Sequence, residues 1–192
     1  MGLSARAQDA RTCAVCRGRR VVVGACRPIV CLGGHNPETL YDLGARARII
    51  AVDTTSTWPE QALKEKNASG YMRTVSAEGV LSLQPDLILA MNNAGPPAAM
   101  DQLVASGVPI VFVEATPSVE AIEGRTAFLA GLVGADTQGR ELVSRIEKGF
   151  ATLAQWRATH TTPRRVLVVM RMTNGHPMVA GRGTEAEAIL SV

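Results

Sequence analysis

Five short apolar runs rich in Val and Ile constrain this chain more than any other feature. They are "PIVCL" (28–32), "RIIAV" (48–52), "DLILAM" (86–91), "PIVFV" (109–113) and "RVLVVM" (165–170). A strand with one solvated face alternates polar and apolar residues. These runs are continuous, as in strands covered on both faces. Helical segments separate them, so the local grammar is strand–helix–strand. That predicts an α/β fold with a mostly parallel, Rossmann-like sheet.

The helix boundaries are legible. In "HNPETLYDLG" (35–44), Asn36 is placed to cap, Pro37 suits the first helical position, and Glu38 meets the positive end of the dipole. Gly44 stops that helix. Ser76 is placed to cap "AEGVLSL", and Pro85 ends it. Residues 94–107 read as a helix entered through prolines and closed by Gly107. Thr184 and Glu187 have capping-box spacing.

Residues 118–160 carry no strand signal. One helix is predicted from Val119 to Val133, stopped by Gly134, and a second from Asp136 to about His160. On the second, Leu142, Ile146, Phe150, Leu153 and Trp156 draw one apolar stripe. At 1.5 Å per residue it is roughly 35 Å long, which suits a strut between two lobes better than a crossover within one. After it come a strand, an extended piece "GHPMVAG" and a helix, too little to bury their own apolar faces. The expected organisation is a basic leader or disordered segment (1–27), an N-terminal α/β lobe (28–117), a helical linker with a long interdomain strut (118–162), and the start of a truncated, incomplete C-terminal α/β lobe (163–192).

Composition excludes several classes. No apolar run in the 192 residues approaches the roughly 20 needed to span a bilayer. The net charge of +3 comes from the head: residues 1–27 hold six of the 20 basic groups and one of the 17 acidic ones, leaving 14 and 16 in the body. Such a body has no nucleic-acid groove signal. All four cysteines (Cys13, Cys16, Cys26, Cys31) lie near that head. Cys13 and Cys16 have CxxC spacing, but no second pair or His pair completes a zinc site. "VVVGAC" (21–26) faintly resembles a lipoprotein cleavage box, with an apolar stretch too short for a signal-peptide core. Cys31 reads as a core residue.

Tyr71 and Arg73 stand out because aromatics make up 4% of the chain and one of its two tyrosines sits on a polar loop. From the pair alone two readings stand. Tyr71 is a turn aromatic packing on the lobe with Arg73 a solvated charge, or the two form a ligand site. "LGGHNP" and "AGRGTE" match neither common nucleotide-binding glycine pattern. No triad order or paired catalytic carboxylate stands out, so no enzyme is expected.

From residue 28 to 192 the chain resembles the periplasmic haem-binding proteins of bacterial haem ABC importers, two-lobe binding proteins whose lobes are joined by one long helix. The resemblance is carried by "LGGHNPETLYDLGA", "VDTTSTWP", "GYMRTVSAEGVLSLQPDLILA", "GPPAAMDQLVASGVPIVFV" and "PMVAGRGTEAEAIL". The combination of "GYMR", "SAEGVLSL" and "AGRGT" is more specific to the haem branch than the fold alone, which siderophore and cobalamin binders share. It implies that Tyr71 is the axial ligand of ferric haem, with Arg73 beside it. It makes His176, on the turn opening the second lobe, a candidate second axial ligand. It aligns Glu78 with a lobe glutamate that docks to an arginine of the membrane permease. It also implies a periplasmic location and a role in iron uptake. His35 is placed to line the cleft and is left unassigned; His160 reads as a charge at the strut's end. The alternatives are a ferric siderophore or cobalamin binder of the same fold, a cytosolic nucleotide-dependent enzyme, and a non-functional fragment.

Overall fold

The computed structural model describes residues 11–14, 20–23, 28–162 and 164–192. Two short strands, β1 (Arg11–Ala14) and β2 (Arg20–Val23), pair antiparallel within the segment expected to be a leader or disordered. The CxxC and cleavage-box readings fall on residues 13–26, whose side chains lie outside the described part.

The main sheet contains β3 (Ile29–Leu32), β4 (Ile49–Val52), β5 (Asn67–Ala68), β6 (Leu87–Met91) and β7 (Ile110–Val113). Its order is β5-β4-β3-β6-β7, and every neighbouring pair is parallel. Four of the five apolar runs became the four longer strands. The two-residue β5, an exposed Asn-Ala pair, is too short to carry a hydrophobic signal.

Side chains alternate between two cores, as the pleat requires. Ile29, Cys31, Leu87 and Leu89 point to one face and Val30, Leu32, Ile88 and Ala90 to the other. The first face is covered by α1 (His35–Asp42) through Leu40 and by α5 (Val119–Val133) through Leu129 and Leu132. A short α2 (Gln61–Glu65) follows β4. The second face is covered by α3 (Ala77–Ser82) through Val80 and by α4 (Pro97–Ala105) through Met100 and Leu103. Helix α5, read as linker from the sequence, thus packs into the core of the lobe.

Ser76 caps α3 by accepting the N–H of Gly79 at 3.1 Å, as expected. Asn36 does not cap α1. Gly34 occupies that position, and Asn36 is buried inside the first turn with its side-chain amide donating to the Leu89 carbonyl. Gly33, at φ +112°, turns the chain so sharply that the helix begins before Asn36 is reached.

Helix α6 (Asp136–Thr159) has 24 residues and is the long strut. Gly139 lets it cross α5 closely, since a Cβ there would lie 2.3 Å from that of Ala130. Leu142 is buried, and Ile146, Phe150 and Leu153 are half-buried. Trp156 is exposed and stacks on His160 with ring centroids 4.2 Å apart.

Beyond the strut, the fifth apolar run departs from expectation. The strand β8 (Val169–Thr173) starts four residues later than its sequence signal and pairs antiparallel with β9 (His176–Val179). Asn174 and Gly175, at φ +50° and +78°, form the turn. An Asn-Gly pair takes two positive φ values easily and matches the twist of a hairpin, so this local turn sets the pairing. Helix α7 (Glu185–Ser191) is capped by Thr184, which accepts the N–H of Glu187. Val166, Leu167, Met170, Met172, Ile189 and Leu190 are all exposed. Among the described residues, no helix is long and apolar enough to cross a membrane.

Candidate functional site

The chain enters the sheet in the middle at β3, steps outward to β4 and β5, then returns to β6 on the other side of β3. Where strand order reverses, the loops leaving the carboxyl ends of the strands diverge and open a crevice. A cleft of about 540 Å³ lies there. Gly33, Gly34 and His35 follow β3, Thr55, Thr57 and Trp58 follow β4, Asn93 follows β6, and Ala115 follows β7. Met170 and Glu185 reach it from beyond the strut. The volume falls within the range of small-molecule sites, roughly 300–1,000 Å³.

Tyr71, Met72 and Arg73 form one wall. The Thr74 N–H donates to the Tyr71 carbonyl at 2.8 Å, closing a turn over 71–74. Met72 turns inward and is buried, while Tyr71 and Arg73 stay exposed. The two side chains share the cleft because of this turn and not because the segment is extended. Tyr71 is 43% exposed, and no hydrogen bond of its hydroxyl, nor any ion pair of Arg73, occurs among the described residues. The other tyrosine is different: the Tyr41 hydroxyl donates to Glu65, and burial first, then the Glu65 carboxylate, raises it above the ordinary tyrosine value. Tyr41 is occupied within the fold; Tyr71 is left facing the cleft.

Asp53, fully buried at the end of β4, holds the walls together. Its Oδ1 accepts the Gly33 N–H at 2.8 Å and the Ser56 hydroxyl at 3.2 Å. Its Oδ2 accepts the Thr55 N–H at 3.1 Å, the Thr55 hydroxyl at 2.8 Å and the Met72 N–H at 3.2 Å. Sequence reasoning gave Asp53 and Trp58 no role, although both lie in "VDTTSTWP". The available signal was an Asp at the end of an apolar strand followed by hydroxyl residues, a pattern that folds back on its own backbone. Trp58 is 64% exposed and lines the cleft, an unusual position for a large aromatic in a chain with few.

The remaining candidates divide. His35 lines the cleft, as does Glu38, read earlier as dipole compensation alone. His176 opens β9, is exposed, and is not among the residues lining the cleft. The hairpin accounts for this: β8 turns back at Asn174–Gly175, and Met170 reaches the cleft in place of His176. Glu78 lies exposed in the first turn of α3, away from the cleft. His160 is bonded to the Trp156 carbonyl at 2.8 Å and belongs to the strut. A second, apolar cavity of about 400 Å³ adjoins the cleft between α5, α6 and α7, sharing His35, Ala115 and Glu185 with it.

Comparison with known proteins gives a consistent result. The family profile described as "Periplasmic binding protein" matches residues 29–192. The periplasmic haem-binding protein RhuT from Roseiflexus sp. RS-1, solved in apo form, superposes with a TM-score of 0.80 at 32% identity, covering 86% of this chain and 63% of that one. A periplasmic haem-binding protein from Pseudomonas aeruginosa gives 0.79 at 32% identity, covering 86% and 60%. The vitamin B12-binding protein of Yersinia pestis (strain Pestoides F) is 33% identical over 92 residues, 48% of this chain and 32% of that protein. The chain therefore spans less than two thirds of the length of each of these relatives.

Proposed function

Since the chain belongs to the periplasmic binding protein family, we propose that its cleft takes ferric haem as cargo, with the Tyr71 oxygen on the iron. The observation that carries this reading is the exposed Tyr71, its hydroxyl without a hydrogen bond among the described residues, beside Arg73 on the cleft wall. The likeness to RhuT and to the Pseudomonas protein supports it.

Ferric iron is a hard cation, and phenolate is a hard anionic donor. A free phenol has a pKa near 10, so at neutral pH the proton must be displaced. Iron displaces it, and a neighbouring guanidinium stabilises the resulting anion. The planar guanidinium of Arg73 is also suited to pair with a haem propionate. Among the described residues, no group of three or more His, Cys, Asp or Glu is arranged to hold a bare ion. Iron already chelated by a porphyrin needs one axial donor, which this cleft offers. Trp58 and Met170 supply apolar surface for a flat ring. The protein on this reading acts by binding, outside the cytoplasm, and hands its cargo to the permease of an ABC importer, with Glu78 as a docking charge.

The match to a vitamin B12-binding protein favours a second reading, a corrinoid or ferric siderophore in the same cleft. Parallel titrations of the chain with ferric haem, cobalamin and a ferric siderophore separate the two. Saturable haem binding with no response to the others supports the first. Cobalamin or siderophore binding without haem binding supports the second.

A further inference from the structure

A buried carboxylate that accepts five hydrogen bonds from three separate loops does more than satisfy itself. An ionised Asp offers about four lone-pair sites and no donor, so it can gather N–H and O–H groups that point at one another. At Asp53 the duties are divided. Oδ1 holds the glycine turn after β3, through the Gly33 N–H, together with Ser56 of its own loop. Oδ2 holds the Tyr71 turn, through the Met72 N–H, together with Thr55. The anchored amide is one peptide unit away from Tyr71, so its position sets that of the Tyr71 backbone.

The surroundings leave the clamp little slack. A Cβ on Gly33 would lie 2.1 Å from Met91 Cγ, and one on Gly34 would lie 2.5 Å from the Thr55 carbonyl oxygen. The glycine turn is therefore pressed against β6 on one side and the Asp53 loop on the other. The Tyr71 side chain, by contrast, is held by no hydrogen bond among the described residues. It rides on the backbone of its turn, where Asp53 accepts the Met72 N–H at 3.2 Å, the Met72 carbonyl accepts the Gly95 N–H at 2.9 Å and the Gly70 carbonyl accepts the Thr54 N–H at 2.8 Å.

We propose that Asp53 is the positioning residue of the cleft: its acceptor-only carboxylate sets where the Tyr71 oxygen is presented relative to the β3 turn. The proposal rests on the reading of Tyr71 as the iron ligand. It adds a residue that touches no ligand and acts through Met72 and Gly33. A supporting shell of this kind fixes ligand geometry as much as the ligand itself does.

The test is Asp53→Asn, which keeps size and shape but turns one acceptor into a donor facing N–H groups. Hydrogen exchange at the Gly33 and Met72 amides, read by NMR on the apo chain, should accelerate at least about tenfold at one of them, since each 1.4 kcal/mol of lost protection is a factor of ten. Haem affinity should fall about 10- to 100-fold, with the iron–phenolate absorption band shifted, as outer-shell substitutions do at metal sites. Thr55→Val, which removes one donor to Oδ2 and leaves the carboxylate, should give the same changes in smaller measure, and Thr55→Ser should restore them. That pair carries the test if Asp53→Asn does not fold. Unchanged exchange at both amides overturns the proposal whether or not haem binds. A wild-type chain with no phenolate band overturns the Tyr71 reading instead, and the exchange data still decide whether Asp53 holds the turn.

Discussion

The side-chain amide of Asn36 donates to the main-chain carbonyl of Leu89 at 3.3 Å, tying the first turn of α1 to the interior strand β6. Asn36 is fully buried, and its Oδ1 finds no partner among the described residues. Asn36→Ala removes one good bond and one unsatisfied acceptor together, so its net cost is modest, about 1 kcal/mol. Asn36→Asp sets a carboxylate against a carbonyl in the core and costs more, about 3 kcal/mol. Urea denaturation should rank the variants in that order; equal midpoints would show that the bond does not matter.

Two glycines separate conformational strain from collision. Gly44 has φ +75° with open space around it, and Gly33 has φ +112° with Met91 in the way. Gly44→Ala should cost about 1 kcal/mol, from backbone strain alone. Gly33→Ala should cost clearly more, because Met91 must also move, and should disturb the cleft as well. Thermal unfolding and haem titration of both variants check this.

Cys31 gives a pH prediction with a definite sign. Burial first, and the Asp53 charge second, push its thiol far above the ordinary cysteine range. The native chain keeps that proton above pH 8.5 while the unfolded chain gives it up. Unfolding then releases a proton, so stability falls as pH rises above about 8.5, by about 1.4 kcal/mol per pH unit from this group. The contribution is fully present below that pH. Cys31→Ala should flatten the dependence between pH 8.5 and 10, and alkylation at Cys31, mapped by peptide mass, should require unfolding.

Glu78 is exposed in the first turn of α3 and lines neither cavity. Charge reversal, Glu78→Arg, should leave haem binding unchanged and slow association with a permease reconstituted in vesicles, with a weaker salt dependence. Altered haem affinity with normal association would reverse that assignment.

The sheet was legible because burial on both faces leaves a mark in composition: Ile29 to Leu32 and Leu87 to Met91 are apolar throughout, and both strands are fully buried. Gly44, Gly107 and Gly134 stop helices where expected, since each takes a positive φ that other residues resist. What stayed hidden depended on tertiary partners. Nothing local tells that Asn36 will bond to Leu89 rather than cap its own helix. Nor does a single Asp after an apolar run announce donors from Gly33 and Met72, some 20 residues away on either side. The Asn174–Gly175 hairpin was readable, but the apolar run before it drew the strand too early. At the site, Tyr71 and Arg73 came from the motif, and their shared wall from a turn that spacing alone did not specify.

The central claim is that the Tyr71 oxygen binds ferric iron, and optical titration of the chain with ferric haem tests it most directly. The wild-type chain should give a high-spin ferric spectrum with a phenolate-to-iron band, and Tyr71→Ala, folded by circular dichroism, should lose that band. An identical spectrum and affinity in Tyr71→Ala would contradict the account.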